Sequence, residues 1–290
     1  EWLGKEFVAS GYDLKQLTRL IMTSQLYQRE AIGTNLDASP ENRLFVAPDR
    51  RRLTAEQIVD SLYEATGVEM DVEAMTLDPD GRAAARARNS YGDPHRSWMF
   101  VSLSNERDRP SLTLPRAAIV AEMLTAFGWT ADRQAPKTDR ENAANVLQPA
   151  VMANSTLSVS LTKAAHQSVL AELAVEAKSP ESLLESLFLR FVSRPPTSSE
   201  REVFLEMLRD GFEERLVPED RIALPEAPER LPQVTWWNHV RNEANTYQQE
   251  RARRVRQGPP ADPRLETEWR QRYEDVVWSI ANLREFVWTP

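Results

Sequence analysis

Apolar residues in this chain recur three and four positions apart in short runs, and the residues bracketing those runs start and stop helices. Trp2, Leu3, Phe7 and Val8 read as a first helix. Asp13 stands before Leu14, Leu17, Leu20, Ile21 and Leu26, where its carboxylate can accept from the free N–H groups of a second. Thr54 and Gln57 make a T-x-x-Q capping box, with Leu53 and Ile58 as the hydrophobic staple around it. Ile58, Leu62 and Ala65 continue one face, and Gly67 occupies the position where a left-handed residue closes a helix.

Residues 68–115 lose this period. Asp78-Pro79-Asp80-Gly81 is a turn, Arg82, Arg86 and Arg88 follow, and Ser97 to Val101 reads as a short strand, so a long surface excursion is expected. Arg116 to Phe127 returns to helix and Gly128 stops it. Asn142 to Leu161 is predicted to be helical with a break near Pro149, and Thr162 to Ala177 to be a further helix. Ser179 followed by Pro180 opens the next, with Leu183, Leu184, Leu187, Phe188 and Phe191 inward. Arg194-Pro195-Pro196 ends it, and Thr197 with Glu200 forms another capping box for a helix running through Leu208 to Gly211. Residues 212–262, rich in proline and arginine, read as a surface insertion with one exposed helix around 236–256. Asp262-Pro263 is expected to start a closing helix that buries Leu265, Trp269, Tyr273, Val276, Val277, Ile280 and Leu283. The predicted fold is mainly α: one helical domain over residues 1–290, with long irregular connections and room for a small β-hairpin. No period of 20–50 residues repeats convincingly, which argues against a solenoid.

Composition narrows the chemistry. Of 290 residues, 41% are hydrophobic, enough for a sizeable core, yet no apolar stretch approaches the roughly 20 residues that span a bilayer. The balance of 36 basic against 44 acidic residues, a net charge of -8, argues against nucleic-acid binding. With no cysteine, the chain has no disulfide, thiol nucleophile, iron–sulfur cluster or covalently attached haem of its own. The glycines form neither a G-x-G-x-x-G nor a G-x-x-x-x-G-K pattern, and there is no G-x-S-x-G elbow. His95, His166 and His239 are far apart, and Asp78 with Asp80 lacks the remaining ligands of a calcium loop, so no metal site is expected. The helical pattern is already under way at Glu1, which suggests a piece of a longer polypeptide.

Two clusters admit a functional reading beside a structural one. Glu56 and Asp60 lie one helical turn apart with Arg52 before them. They suit an ion network that pins a helix, or an acid/base pair acting on carbohydrate beside tryptophans such as Trp129, Trp236, Trp237 and Trp288. Arg251, Arg253, Arg254 and Arg256 suit a solvated helix face, or a contact to an anionic polymer or a partner domain.

Six segments together carry a family resemblance. They are Asp13-Leu14-Lys15 leading into Ile21 to Gln28; Glu41-Asn42-Arg43-Leu44; Arg51 to Asp60; Arg140 eight residues before Gln148, with Asn154 beyond; Leu189 to Thr197; and Val276 to Phe286. On these the chain resembles the C-terminal domain of unknown function of planctomycete cytochrome-c-like proteins, called Planctomycete-specific domain one. The resemblance runs nearly end to end apart from residues 212–262. Ala144 and Leu147 stand where the family often has a threonine and a proline, and the usual N-S-x-E-F ending reads Asn282-Leu283-Arg284-Glu285-Phe286.

The resemblance implies an extracytoplasmic setting and a c-type haem upstream in the parent protein, with no cofactor in this chain and no catalytic residue to carry over. It points to a non-catalytic accessory or interaction domain that packs on the upstream domains of the same polypeptide and faces a cytochrome or a polysaccharide. A carbohydrate-active enzyme using a carboxylate pair, and a docking surface for a cytochrome partner, are the alternatives. The recurring polar residues Arg43, Arg52, Glu56, Asp60, Asn154, Asn282 and Glu285 are expected to act as clamps between helices, because buried helix ends need partners for their free N–H and C=O groups.

Overall fold

The computed structural model describes residues 1–29, 50–73, 94–100, 110–129, 144–226, 228–232, 234 and 238–288. The fold is mainly α. Among the described residues the β pairings are isolated bridges, Arg52 with Trp288, Ala165 with Ala261 and Leu216 with Leu265. The chain divides into two compact units, Glu1–Arg52 with Val287–Pro290, and Leu53–Phe286.

In the first unit, α1 (Trp2–Ala9) and α2 (Leu14–Met22) form a short hairpin. The Asp13 carboxylate accepts from the N–H groups of Lys15 at 2.8 Å and Gln16 at 3.1 Å, the predicted cap. Phe7 and Tyr12 meet edge to face at 5.4 Å between ring centroids. No side chain of either helix is buried.

The second unit begins with α3 (Ala55–Thr66), whose Thr54–Gln57 capping box is complete and whose Gly67 is left-handed at φ +67°. That glycine is required twice over, by its φ and because an added Cβ would lie 2.6 Å from Val169 Cβ. There follow α4 (Pro115–Ala126), α5 (Leu147–Asn154), α6 (Thr156–Leu161) and α7 (Val169–Glu176). Then come α8 (Pro180–Val192), α9 (Ser198–Arg209), α10 (Asn242–Gln257) and α11 (Thr267–Ala281). The core forms where α11 packs on α8 and α9, and where α3 packs on α4, α6 and α8. Trp269 stacks on Tyr273 at 5.4 Å, meets Phe212 edge-on at 6.0 Å and donates its indole N–H to Leu208 O at 3.0 Å. Tyr273 is fully enclosed and donates to Leu170 O at 2.9 Å, and burial pushes its hydroxyl pKa far up.

Local pattern and structure part company where distant groups claim the backbone. Ser97–Met99 is a turn of 3-10 helix and not a strand, because Asp60 on α3 accepts the Ser97 N–H at 2.8 Å. Pro149 does not break its helix: it sits in the first turn of α5, where its missing N–H would have had no partner. The break falls at Ser155, which caps α6. Thr162 to Ser168 is a loop instead of the start of a helix. Ala164 donates its N–H to Glu274 Oε1 at 3.1 Å, His166 donates to Pro260 O at 2.9 Å, and Gln167 turns to φ +62° before Ser168 caps α7. Asp262 does not start the closing helix either. It is buried, and α11 opens five residues later on Thr267 with Glu266 as its cap.

Candidate functional site

Several charged side chains of the second unit meet at helix ends. Arg194, following α8, forks onto Glu200 of α9 with two bonds of 2.8 Å and reaches Glu285 at 2.8 Å. Glu200 also accepts the Thr197 N–H at 2.7 Å. The Arg194 hydrogen bonds, assisted by Thr197 and opposed by partial burial, hold the Glu200 carboxyl down at about 2. A second knot joins Glu172 of α7, Asp262 and Arg264. The Arg264 guanidinium donates to Glu172 Oε1 at 2.6 Å and to Asp262 Oδ2 at 2.8 Å. Burial opposes ionisation of Asp262, yet the bonds from Arg264 keep its pKa below the usual carboxylate value. His166 Nδ1 lies 3.7 Å from the same carboxylate. Glu274, on α11, behaves oppositely: burial raises its pKa against the pull of Arg270.

Arg215 is the most enclosed arginine of the set, buried against the Phe212 ring at 4.0 Å. It donates to Ala174 O at 2.8 Å, Val175 O at 3.1 Å and Ala177 O at 2.7 Å, the open carbonyls at the end of α7. Arg190 does the same for α3, donating to Ala65 O and to Glu64 O. At the other polarity, Glu73 accepts the N–H groups of Arg116 at 3.1 Å and Ala117 at 2.9 Å, capping α4 where Leu114 has no side chain able to do so.

Of the residues singled out in the sequence, Arg43 lies outside the described residues. Arg52 belongs to the first unit, where its backbone bridges to Trp288. Glu56 sits in the first turn of α3 and is half-buried. Asp60 reaches across sequence to Ser97, and Glu285 to Arg194. Asn154 and Asn282 bond to carbonyls of their own helices, Ala150 O and Trp278 O. The link from α11 to α5 is made instead by Trp278, whose indole N–H donates to Ala153 O at 2.9 Å. Trp236 and Trp237 lie outside the described residues. Within the basic run, Arg253 and Arg254 pair with Glu250, while Arg251 and Arg254 donate to the carbonyls of Pro232 and Glu229.

Chemically, this is a set of caps and fasteners: Arg190, Arg194, Arg215, Arg264, Glu73 and Glu200 each have a backbone or ion-pair partner in place. Among the described residues no group of three or more His, Cys, Asp and Glu is arranged to hold a metal ion. Arg190, Arg215 and Glu73 escaped the sequence reading because each serves a helix end lying roughly 40 or more residues away. Arg194 had a visible signal in its place three residues before the Thr197–Glu200 capping box.

A family profile described as PSD1, protein of unknown function (DUF1553), matches residues 1–208. The chain belongs to the PSD1 family. The PSD1 match runs from α1 to the penultimate residue of α9 and stops short of α10 and α11, so the Val276 to Phe286 segment of the resemblance lies beyond it. Neither a curated protein nor a solved structure matches the chain. No helix among the described residues is long and apolar enough to cross a membrane.

Proposed function

We propose that this chain is a non-catalytic interaction domain of an exported multidomain protein, one whose parent polypeptide carries a c-type haem in another domain, as the planctomycete cytochrome-c-like proteins do. The observation that carries this reading is the α1–α2 hairpin. Trp2, Leu3, Val8, Leu14, Ile21 and Met22 are all exposed there, and so is Leu26 just beyond α2. Helices this short gain little from propensity alone, and an apolar surface of this kind marks a place that a partner covers. In the second unit, the engagement of charged side chains with helix ends supports fasteners over reagents, and of the expected clamps Asp60 and Glu285 are the ones proposed to join separate elements. Asp60 already spends one carboxylate oxygen on the Ser97 N–H, which weakens the case for a Glu56–Asp60 acid/base pair acting on polysaccharide.

The partner we favour is the haem-bearing domain of the same polypeptide, with a cytochrome docked by the acidic balance of the chain as the variant of this reading. The test is titration calorimetry of the chain against the isolated haem domain at low and high salt. Binding that is lost in a Leu14→Asp, Ile21→Asp double variant supports the proposal. Binding indifferent to both changes, or release of reducing sugar from a polysaccharide that disappears in Asp60→Asn, would replace it.

A further inference from the structure

Helix α10 is attached by different means from its neighbours. Its sixteen residues carry no continuous apolar stripe, and only Ala244 and Gln248 are buried. Gln248 holds it to the body, donating through Nε2 to Ser111 O and Thr113 O at 3.1 Å each. Lys163 adds one bond, from Nζ to Gln257 O at 3.3 Å. On its outer side Arg251 donates to Leu231 O at 3.3 Å and Pro232 O at 2.6 Å, and Arg254 to Glu229 O at 2.6 Å. Two arginines thus tie the exposed segment 228–232 to α10 itself. The stems of the excursion are closed where it leaves and returns. Val217 donates its N–H to Arg264 O at 2.9 Å, and Glu266 donates to Arg215 O at 2.8 Å, flanking the Leu216–Leu265 bridge.

A hydrogen bond to a carbonyl is exchanged for one to water at small net cost, whereas buried apolar surface is not. Segments held mainly by the first kind of contact open locally before the whole protein unfolds. We propose that α10, with the segment 228–232 strapped to it, is an arm that lifts from α4 and α6 as one unit while the body built on α8, α9 and α11 stays folded. Gln248 is the latch, and Arg251, which donates to Gln248 Oε1 at 3.1 Å, holds the latch in position. The pinned stems let the arm leave without pulling on α11.

Hydrogen exchange of the whole 290-residue chain, followed by mass spectrometry, tests this. The amides of α10 should exchange as a block, about a hundredfold or more faster than those of α11. Gln248→Ala should speed the α10 block by about tenfold and leave α11 within about twofold of its original rate. Arg251→Lys, which keeps the charge and loses the planar fork, should act in the same direction. A common rate for α10 and α11 would overturn the proposal, and so would equal acceleration of both helices by Gln248→Ala. Complete lack of protection in α10 would overturn it too, since the arm would then never be docked. The unmodified protein's rates decide the first point even if a variant does not fold.

Discussion

Helices α10 and α11 are nearly the same length and stand side by side in sequence, yet they are held by opposite physics. α11 buries six residues, among them Trp269, Tyr273, Val276, Val277 and Ile280. α10 buries two, one of them the polar Gln248. The first is fixed by area removed from water, at about 25 cal/mol per Å² of apolar surface. The second is fixed by donors aimed at carbonyls, each contributing about 1 kcal/mol net. Length and helical propensity therefore say little about how firmly a helix is anchored. The identity of what it buries decides.

If α11 is held by burial, its loss should be the most damaging change available. Trp269→Ala removes the stacking on Tyr273, the edge contact with Phe212 and the bond to Leu208 O together. The expected cost is about 3 to 5 kcal/mol of unfolding free energy in urea titration. A loss below about 1 kcal/mol would mean that the core is not centred on this residue. Next in size is Gly67→Ala, at about 2 to 4 kcal/mol, combining the strain of a left-handed φ with a clash against Val169. Pairing it with Val169→Ala should recover only the part of the clash made by the Val169 Cγ2 methyl and leave the Cβ contact and the backbone part, a coupling that a double-mutant cycle reads directly.

The same contrast explains what could be read from the chain alone. α11 was legible because its inward residues fall at helical spacing, and the caps of α2, α3, α8 and α9 were legible because donor and acceptor lie within three residues. Thr162 to Ser168 was misread because its backbone is claimed from afar: Ala164 is satisfied by Glu274, 110 residues on, so no local pattern records it. Among the expected clamps, Asn154 and Asn282 turn inward to their own helices, while Glu285 finds Arg194 at a separation of 91 residues. Sequence marked these residue types at helix ends without specifying which end each would serve.

Arg215 sharpens the point, since it joins both kinds of anchoring in one side chain. Its guanidinium is enclosed over Phe212, and burial lowers its pKa, yet its work is to satisfy three carbonyls at the end of α7. Arg215→Ala leaves those groups unpaired and should cost about 2 kcal/mol, measured by thermal and urea unfolding. Arg215→Lys keeps a charge but offers a single ammonium in place of the fork, and should recover less than half of the loss. Full recovery by lysine would show that charge, and not the directed bonds, is what matters there.

The smallest expected effect carries the clearest signature. Glu200 is held at about 2 by Arg194 and the Thr197 cap, below its unfolded value of 4.5, so the unfolded state binds its proton first as the solution is acidified. Its contribution is therefore complete above pH 4.5 and lost as pH falls from there toward 2. After allowance for solvent screening it amounts to about 1 to 2 kcal/mol. Glu200→Gln should flatten the stability profile across that window and lower stability at neutral pH by a similar amount. Glu274 runs the other way: its raised pKa means that the folded state holds a proton the unfolded state has released, so stability falls as pH rises above the ordinary glutamate value. Glu274→Gln should remove that decline while keeping an acceptor for the Ala164 N–H. If the two variants altered the pH profile in the same direction, the opposite environments assigned to these carboxylates, one forked by arginine and one desolvated, would be wrong.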